Sequence, residues 1–310
     1  MKTFHSVESF SSKKPTVLTI GTFDGVHIGH KKILNKLLAT ANHNELESLV
    51  LTFFPHPRMV LQKDADIKLI HTIDERTAIL NTLGLHNLII QPFSKEFSRL
   101  TATEFVRDIL VQQLNVKHVI VGYDHRFGRN RTANIDNLKE FGLIYDFTVE
   151  EISAQDINDV AVSSTKIRKA LTDGNIQTAN KYLDDSFQLN GVITVGKGIG
   201  RTIDFPTANV SITEDYKMIP KNGVYIATAT IDNKTYNGMM NIGHNPTVNG
   251  NTQSIEIHLF NFNKDIYHKA ISVKILKRLR DEYKFESVNA LKNQLNDDKN
   301  KALTYFENND

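Results

Sequence analysis

The stretch GTFDGVHIGH, residues 21–30, decides the fold of the first part of the chain. The apolar run before it, Thr16 to Ile20, has the length of a buried strand. Apolar residues recur at helical spacing after it, and these are Ile33, Leu34, Leu37, Leu38 and Ala41. The pattern predicts a strand, a glycine-bearing turn and a helix. Such a turn directs backbone N–H groups and the positive end of a helix dipole at its occupant, which favours an anion, most commonly phosphate.

The turn carries two histidines, His27 and His30, with Gly29 between them. It matches neither of the familiar phosphate fingerprints, G-x-G-x-x-G and G-x-x-x-x-G-K-[ST]. Imidazoles beside a helix start donate hydrogen bonds to phosphate oxygens and offset the charge that builds up during transfer. The alternative is an ordinary strand-to-helix turn with solvent-facing histidines. The paired H-x-G-H spacing favours the phosphate site.

Length and composition limit the class of protein. A chain of 310 residues is long for a single core, so we expect two domains. Lys plus Arg number 37 against 35 for Asp plus Glu, a formal charge of +2 that is too balanced to indicate a nucleic-acid or membrane partner. The absence of cysteine excludes disulfides, thiolate zinc sites and a cysteine nucleophile. The polar N-terminus, residues 1–14, lacks the apolar core of a signal peptide. No apolar run approaches the ~18 residues of a membrane span, so we expect a soluble cytoplasmic protein.

The remainder of the first half alternates between strands and helices. Apolar runs at 48–54, 87–91 and 116–121 predict buried strands, separated by helical patterns, and this rhythm is typical of a doubly wound parallel sheet. The first of these strands ends in Pro55-His56-Pro57, and the last leads into the loop GYDHRFG, residues 122–128. Loops at the carboxyl ends of such strands are where open α/β sheets bind ligands.

A helix opens with three hydroxyl residues, Ser163, Ser164 and Thr165. Hydroxyls at a helix start commonly cap its free N–H groups. Lys166 and Arg168 place two cations at the same end, where the helix dipole repels them. A bound polyphosphate would remove that conflict.

The pattern of predicted elements changes after Asp184-Asp185, which we take as the linker between domains 1–184 and 185–310. Strand-like runs then follow one another without intervening helices and predict an antiparallel barrel. A terminal helix is expected over 287–306, with Val288, Leu291 and Leu295 on its inner face. The strand runs are 189–195, 224–231, 255–260 and 271–275.

Three groups of residues in this second half favour phosphate chemistry. A glycine-rich segment can bring backbone N–H groups close to phosphates. Thr207 and Asn209 place two oxygen donors on one face of an extended segment, and oxygen donors suit Mg²⁺. Glu256 shares a strand face with His258, and a carboxylate there can take the proton of an attacking alcohol. The glycine-rich segment includes Gly196, Gly198, Gly200 and Arg201.

The motifs together resemble a known family. GTFDGVHIGH is similar to the signature of nucleotidyltransferases that join a nucleoside monophosphate to a phosphate-bearing acceptor and release pyrophosphate. Over nearly its whole length the chain resembles the bacterial bifunctional riboflavin kinase/FMN adenylyltransferases, also called FAD synthetases. The resemblance implies an N-terminal nucleotidyltransferase domain that makes FAD from FMN and ATP. It also implies a C-terminal β-barrel kinase domain that makes FMN from riboflavin and ATP.

The resemblance also implies roles for single residues. His27 and His30 would act in adenylyl transfer, Glu256 would be the kinase base, and Thr207 and Asn209 would hold Mg²⁺, with ATP as co-substrate. The residues expected to bind nucleotide or flavin in the first domain are Gly21, Phe23, Asp24, Gly29, Pro55, His56, Asp124, Arg126, Ser163, Ser164, Thr165 and Arg168. Those expected in the second are Gly196, Gly198, Gly200, Arg201 and Pro206.

The chain departs from the family pattern at two positions. His125 stands where phenylalanine is usual, and Asp204 stands where glycine usually precedes the phenylalanine of G-F-P-T-A-N. Asp204 either adds an oxygen ligand to Mg²⁺ or points to solvent from backbone angles that aspartate can still adopt, and we favour the second. Two alternatives stay open at this point: an FAD synthetase whose kinase domain Asp204 impairs, and a flavin- or nucleotide-sensing protein without turnover. Sequence leaves the oligomeric state open.

Overall fold

The computed structural model describes residues 1–12, 14–62, 66–153, 162–196, 200, 203–247 and 250–309, with backbone alone over 244–247 and 250–252. The described chain divides into two compact units, residues 1–164 and 165–310. Each unit has its own sheet and its own apolar core.

The first unit is built on a six-stranded parallel sheet. The spatial order is β1-β4-β3-β2-β5-β6, so the chain moves outward on one side of β2 through β3 and β4, and then crosses to the other side of β2 to form β5 and β6. The central strands are apolar and buried along most of their length, which is typical of parallel sheets covered on both faces. The strands are β1 Lys2–Phe4, β2 Thr16–Ile20, β3 Glu47–Phe53, β4 Asn87–Gln91, β5 Val116–Gly122 and β6 Thr148–Ile152.

Helices cover both faces of this sheet, as its alternating side chains require. Leu18 and Leu49 point into one apolar cluster, with the helices after β4 and β5. Val17 and Val50 point into the other, with the helices after β2 and β3. The doubly wound prediction is therefore confirmed. The helices are α1 Ile28–His43, α2 Pro57–Leu61, α3 Ile73–Thr82, α4 Ala102–Glu104 continuing as a π-helix over Phe105–Gln113, and α5 Ile135–Tyr145.

The second unit begins with two helices and continues as a closed barrel. Asn180 joins the second helix to the barrel, since its amide donates to the carbonyl oxygen of Ile275 (2.8 Å) and accepts from the N–H of Phe187 (2.8 Å). The strand order around the barrel is β10-β11-β8-β7-β12-β9, with every pair antiparallel. The elements are α6 Ser164–Asp173, α7 Ile176–Leu183, β7 Phe187–Thr194, β8 Ala208–Ser211, β9 Gly223–Ile231, β10 Lys234–Thr247, β11 Gly250–Leu259 and β12 Ala270–Arg280.

A long terminal helix, α8 Val288–Glu307, packs against the barrel, and the hydroxyl of Ser287 caps its start by accepting from the N–H of Ala290 (3.1 Å). Its apolar face joins a cluster that includes Phe205 from the segment before β8. Leu291 and Leu295 pack there as predicted. Val288 does not, because it lies in the first turn and is 63% exposed. The antiparallel barrel and its terminal helix are confirmed, and the domain limits 1–184 and 185–310 stay a prediction.

Candidate functional site

The order of the parallel sheet fixes where the first site lies. Because β3 and β5 flank β2 on opposite sides, the carboxyl ends of β2 and β5 border the point at which the strand order reverses. Open α/β sheets bind their ligands in the crevice outside such a point. The stretch 21–30 follows β2, and the loop 122–128 follows β5. The topology thus brings these two predicted motifs to one sheet edge, with the loop 55–57 at the end of the neighbouring β3.

The turn after β2 holds its two histidines face to face. His27 caps α1, and its Nδ1 accepts a hydrogen bond from the N–H of His30 (3.3 Å). The two rings are stacked, with centroids 3.7 Å apart and an angle of 13° between planes. Phe23 and Val26 adopt positive φ angles of 47° and 38°. That backbone is rare for bulky side chains and clusters at functional sites.

Both histidines are neutral near pH 7. Burial lowers the pKa of His27 to about 4, and the carboxylate of Asp24 offsets only part of that effect. Burial also lowers the pKa of His30, and electrostatic interactions with His27, Arg76 and His71 lower it further. The Nδ1 of His30 is buried and has no hydrogen-bond partner among the residues that the structure describes. A neutral imidazole still donates one hydrogen bond, so each ring can serve a phosphate oxygen.

Asp24 shapes the turn. One of its carboxylate oxygens accepts from the N–H groups of Ile70 (3.0 Å) and His71 (3.2 Å). Its carbonyl oxygen accepts from the hydroxyl of Ser164 (2.8 Å). Asp24 is 1% exposed, and these contacts give it a structural function whatever it does toward a ligand. This hydrogen bond joins Ser164 to the turn, and a shared ligand site stays a prediction.

The two neighbouring loops present different surfaces. Phe54–Pro55 is a cis peptide, and buried His56 caps α2 by accepting from the N–H of Arg58 (3.2 Å). In the loop after β5, Asp124 and Arg126 are exposed. His125, in place of the usual phenylalanine, stacks on Phe127 with centroids 6.0 Å apart, and burial lowers its pKa to about 4. His125 is therefore a neutral aromatic ring at the position where the family pattern has phenylalanine.

Four further predicted residues lie at element boundaries. Gly21 ends β2, where its N–H donates to the carbonyl oxygen of Leu51 (3.1 Å). Gly29 is buried in the first turn of α1. Thr165 and Arg168 lie on α6, within the second unit.

The second site is assembled on adjacent barrel strands. Asn209 on β8 and Glu256 on β11 are directly paired, and Asn241 on β10 pairs with Glu256 from the other side. Thr207 precedes β8, and its hydroxyl donates to Oε2 of Glu256 (2.8 Å). Thr207, Asn209 and Glu256, which the sequence separates by up to 49 positions, therefore meet in one place.

The segment before β8 is held by close contacts. The ring of His258 donates from Nδ1 to the carbonyl oxygen of Pro206 (2.8 Å), because a carbonyl can only accept. The N–H of Phe205 donates to the carbonyl oxygen of Gly200 (2.9 Å). Gly196 approaches Asn209 so closely that a Cβ there would lie 1.9 Å from its amide nitrogen. Gly198 and Arg201, predicted in the same loop, lie outside the described residues.

The donor set fits a hard cation. Among the described residues, no group of three or more His, Cys, Asp or Glu side chains could hold a metal ion. Thr207 and Asn209 instead provide two neutral oxygens, and Mg²⁺ takes few protein ligands and leaves its other positions to phosphates and water. Because the hydroxyl hydrogen of Thr207 goes to Glu256, the oxygen lone pairs stay available to a cation.

Asp204, a departure from the family pattern, is paired with a lysine of the terminal helix. Its φ of 63° is the left-handed conformation that favours glycine. Its carboxylate is ion-paired with Lys292 on α8 (2.6 Å) and is 80% exposed. The hydrogen bond from Lys292 lowers the pKa of Asp204 below its usual range. The negative charge is thus balanced by a cation on the terminal helix.

A cavity of about 370 Å³ borders the second site. Asn209 is one of its lining residues, and the wall is predominantly polar, with the carboxylates of Glu214 and Asp215 and the buried Lys217. Its volume lies in the range of small-molecule pockets. The residues that line it are Thr194, Asn209, Val210, Ser211, Ile212, Glu214, Asp215, Lys217, Ile219, Gln253, Ser254 and Ile255.

Sequence reasoning missed two residues beneath the first turn, Arg76 and Thr52. Arg76 lies on α3 and is 1% exposed, although arginine is usually found at the surface. Its guanidinium donates to the hydroxyl of Thr52 (3.3 Å) at the end of β3. The sequence of α3 is largely polar, and its buried residues include Glu75 beside Arg76 and Leu80, so no apolar stripe marks Arg76 as a buried residue.

Comparisons with known proteins agree with this division of the chain. Residues 9–166 match the family described as FAD synthetase, and residues 183–306 match the family described as riboflavin kinase. A bifunctional riboflavin kinase/FMN adenylyltransferase of Buchnera aphidicola subsp. Schizaphis graminum is 35% identical over 97% of both chains. A protein of the same name from Bacillus subtilis is 34% identical over 99% of both chains.

A solved structure has nearly the same fold throughout. It superposes with a TM-score of 0.88 and 30% sequence identity, and it covers 96% of this chain and 97% of its own. It is titled a macrolide-efflux protein from Streptococcus pneumoniae, a description that belongs to that protein. In the part of the present chain that the structure describes, no helix has both the length and the apolar character needed to span a bilayer.

Proposed function

The chain belongs to the family of bifunctional riboflavin kinase/FMN adenylyltransferases and is a transferase with both activities, and from this premise we propose which residues perform each step. The parallel-sheet unit adenylylates FMN, and the barrel phosphorylates riboflavin. The observation that carries the residue assignment is that the structure groups the two sets of residues separately. His27 and His30 stack on the first turn, and Thr207 bonds Glu256 in the barrel.

In the adenylyl transfer, a phosphate oxygen of FMN attacks the α-phosphorus of ATP. The new P–O bond forms as the bond to the leaving pyrophosphate breaks, and the products are FAD and pyrophosphate. The start of α1 and the neutral rings of His27 and His30 donate to the phosphates and offset the charge that develops. Ser163 and Ser164 contribute further donors, and the loops 55–57 and 122–128 receive the flavin and the nucleotide.

In the kinase step, the ribityl 5′-hydroxyl of riboflavin attacks the γ-phosphorus of ATP and ADP leaves. Glu256 takes the hydroxyl proton, because its Oε2 accepts from Thr207 and its other oxygen is left for the substrate. The glycine-rich segment, including Gly196, Gly198, Gly200 and Arg201, cradles the phosphates. Pro206 places Thr207 through the bond that its carbonyl accepts from His258.

Mg²⁺ is the metal we propose for the barrel site, held by Thr207 and Asn209. There it would neutralise part of the charge of the ATP phosphates. The pairing of Asp204 with Lys292 favours a fully active kinase over an impaired one, since the lysine balances the negative charge of the carboxylate. We further propose that the enzyme works in the cytoplasm on riboflavin, FMN and ATP, independently of nucleic acid and membranes.

The experiment is a product analysis. Purified protein is incubated with riboflavin, ATP and Mg²⁺, and the flavins are separated by chromatography. FMN and FAD should both accumulate. FAD formed only from added FMN would mean an impaired kinase, and no product at all would leave a flavin- or nucleotide-sensing protein.

Two variants assign the sites, each with the other reaction as its control. His30→Ala should lower FAD formation on the order of 10²–10³-fold, the usual loss on removing one such donor, and leave FMN formation unchanged. Glu256→Gln keeps the shape but removes the base, and should lower FMN formation ~10²–10⁴-fold while FAD formation from FMN continues. Equal loss of both reactions in either variant would contradict the assignment.

A further inference from the structure

Arg76 is the largest fully buried side chain among the described residues. A guanidinium keeps its charge under all ordinary conditions, so burying it is unfavourable unless its donors are bound. Arg76 belongs to α3, and the reactions above do not use it. Its burial therefore requires an explanation.

A chain of hydrogen bonds leads from Arg76 to the turn with the two histidines. Nη1 of Arg76 donates to the hydroxyl of Thr52 (3.3 Å), and that hydroxyl donates to the carbonyl oxygen of Thr22 (3.2 Å). Thr22 is the second residue of the stretch 21–30. The hydroxyl of Thr52 has one hydrogen, so accepting from Arg76 leaves that hydrogen for Thr22.

A second tie joins the same two elements. Asp24 accepts from the N–H groups of Ile70 and His71, just before α3 begins. The start of α3 is itself fixed by a capping box between Thr72 and Glu75. The turn is consequently tied at Thr22 to α3 and at Asp24 to the residues just before α3.

Charge gives Arg76 an additional effect on the site. His27, Arg76 and His71 all lower the pKa of His30, in addition to burial, while the carboxylate of Asp24 raises that of His27. Removing the guanidinium should therefore raise the pKa of His30. Removing only the hydrogen bond at Thr52 should leave it nearly unchanged.

We propose that Arg76 is a positioning residue of the FMN adenylyltransferase, which fixes the turn carrying His27 and His30 through Thr52. The inference rests on the proposed role of the two histidines. A misplacement of about 1 Å at a reacting centre lowers rates on the order of 10²-fold, and the hydrogen-bond chain sets the position of the turn at that scale.

Three variants separate the hydrogen bonds from the charge. Thr52→Val removes the hydroxyl and keeps the guanidinium, Arg76→Lys keeps the charge, and Arg76→Met removes both. We expect kcat for FAD formation to fall about tenfold in Thr52→Val. It should fall on the order of 10²-fold in Arg76→Met and by an intermediate factor in Arg76→Lys. Thr77→Val is the matched control, because that hydroxyl lies on the same helix and donates to the carbonyl oxygen of Ile73 (2.8 Å), one turn earlier.

An NMR titration of the imidazole of His30 adds a readout that a purely structural role would not move. Its resonance is assigned by its disappearance in His30→Ala. Arg76→Met should raise the pKa of His30, whereas Thr52→Val and Thr77→Val should leave it in place. FMN formation by the same samples should be unchanged in all variants.

Two results would overturn the inference. One is normal FAD formation in both Thr52→Val and Arg76→Lys. The other is loss of FAD formation only in proportion to the loss of folded protein, with the pKa of His30 unmoved. If Arg76→Met fails to fold, Thr52→Val and Arg76→Lys still test whether Arg76 positions the turn. Normal FAD formation by His30→Ala would instead refute the proposed function, whatever Arg76 does.

Discussion

Gly196→Ala should inactivate the kinase by displacing one residue, Asn209. A Cβ at this position would lie 1.9 Å from Nδ2 of Asn209 and 2.8 Å from its Cγ. An ordinary contact starts near 3.4 Å, so the amide must retreat by about 1.5 Å, a shift of the size that lowers rates on the order of 10²-fold. That factor corresponds to about 2.7 kcal/mol of lost transition-state stabilisation.

The assay is FMN formation from riboflavin at several Mg²⁺ concentrations. The variant should need more Mg²⁺ and should stay slower at saturation, because an oxygen of the proposed site has moved. FAD formation from supplied FMN should be unchanged, which shows that the protein is intact. Val195→Ala is the matched control, since that neighbouring side chain is 67% exposed and its truncation leaves Asn209 undisturbed.

A double-mutant cycle tests whether the effect passes through Asn209. If it does, adding Gly196→Ala to Asn209→Ala should cause little further loss, because the two changes remove the same interaction. Additive losses would show that the glycine acts elsewhere in the loop. Normal turnover and normal Mg²⁺ dependence in Gly196→Ala would refute the placement of Asn209 at the metal.

Two further predictions follow from charges. Asp204→Gly removes the ion pair with Lys292 at a backbone angle that glycine prefers, so riboflavin turnover should stay unchanged or the KM for MgATP should fall a few-fold. A large loss restored by raising Mg²⁺ would make Asp204 a metal ligand. Because the pKa of His27 is about 4 in the folded protein and 6.5 when unfolded, the unfolded state binds more protons between these values and stability falls as the pH drops. Urea unfolding should show that His27 lowers the free energy of unfolding by about 2 kcal/mol between pH 7 and pH 5. His27→Gln should abolish this contribution, and an unchanged pH dependence of stability in that variant would contradict the prediction.

The sequence predicted the elements that have strong local patterns. Alternation of apolar runs with helical spacing gave the parallel sheet, and β4 at Asn87–Gln91 was predicted to the residue. Short or polar strands such as β1 and β8 were not marked. β1 has three residues and is defined by its pairing with β4, a contact 85 positions away that no local pattern encodes. The prediction that Val288 is buried was wrong for a related reason. The apolar spacing of the terminal helix continues for one turn beyond the part of the helix that the barrel covers.

The candidate sites divide in the same way. Motifs placed the histidines, Thr207, Asn209 and Glu256, and the structure brings the barrel residues together. The contact between Arg76 and Thr52 joins positions 24 apart, and only the packing of α3 on the sheet reveals it. Likewise, the pairing of Asp204 with Lys292 spans 88 positions. Motifs in the sequence therefore suggest candidate catalytic groups, whereas the residues that hold them become visible only in the folded structure.

The two sites differ in the proton state of their nucleophiles, and their residues follow that difference. The second pKa of a phosphate monoester is about 6, so the phosphate of FMN is already ionised near pH 7 and needs no base. Accordingly, the first turn offers neutral donors in His27 and His30, and the carboxylate of Asp24 is engaged by backbone N–H groups. The hydroxyl of riboflavin must lose a proton, and the base we propose in the barrel is the carboxylate of Glu256, which accepts a hydrogen bond from Thr207. If the two sets of residues were exchanged, the hydroxyl of riboflavin would have no base, and the phosphate of FMN would face a carboxylate that repels it.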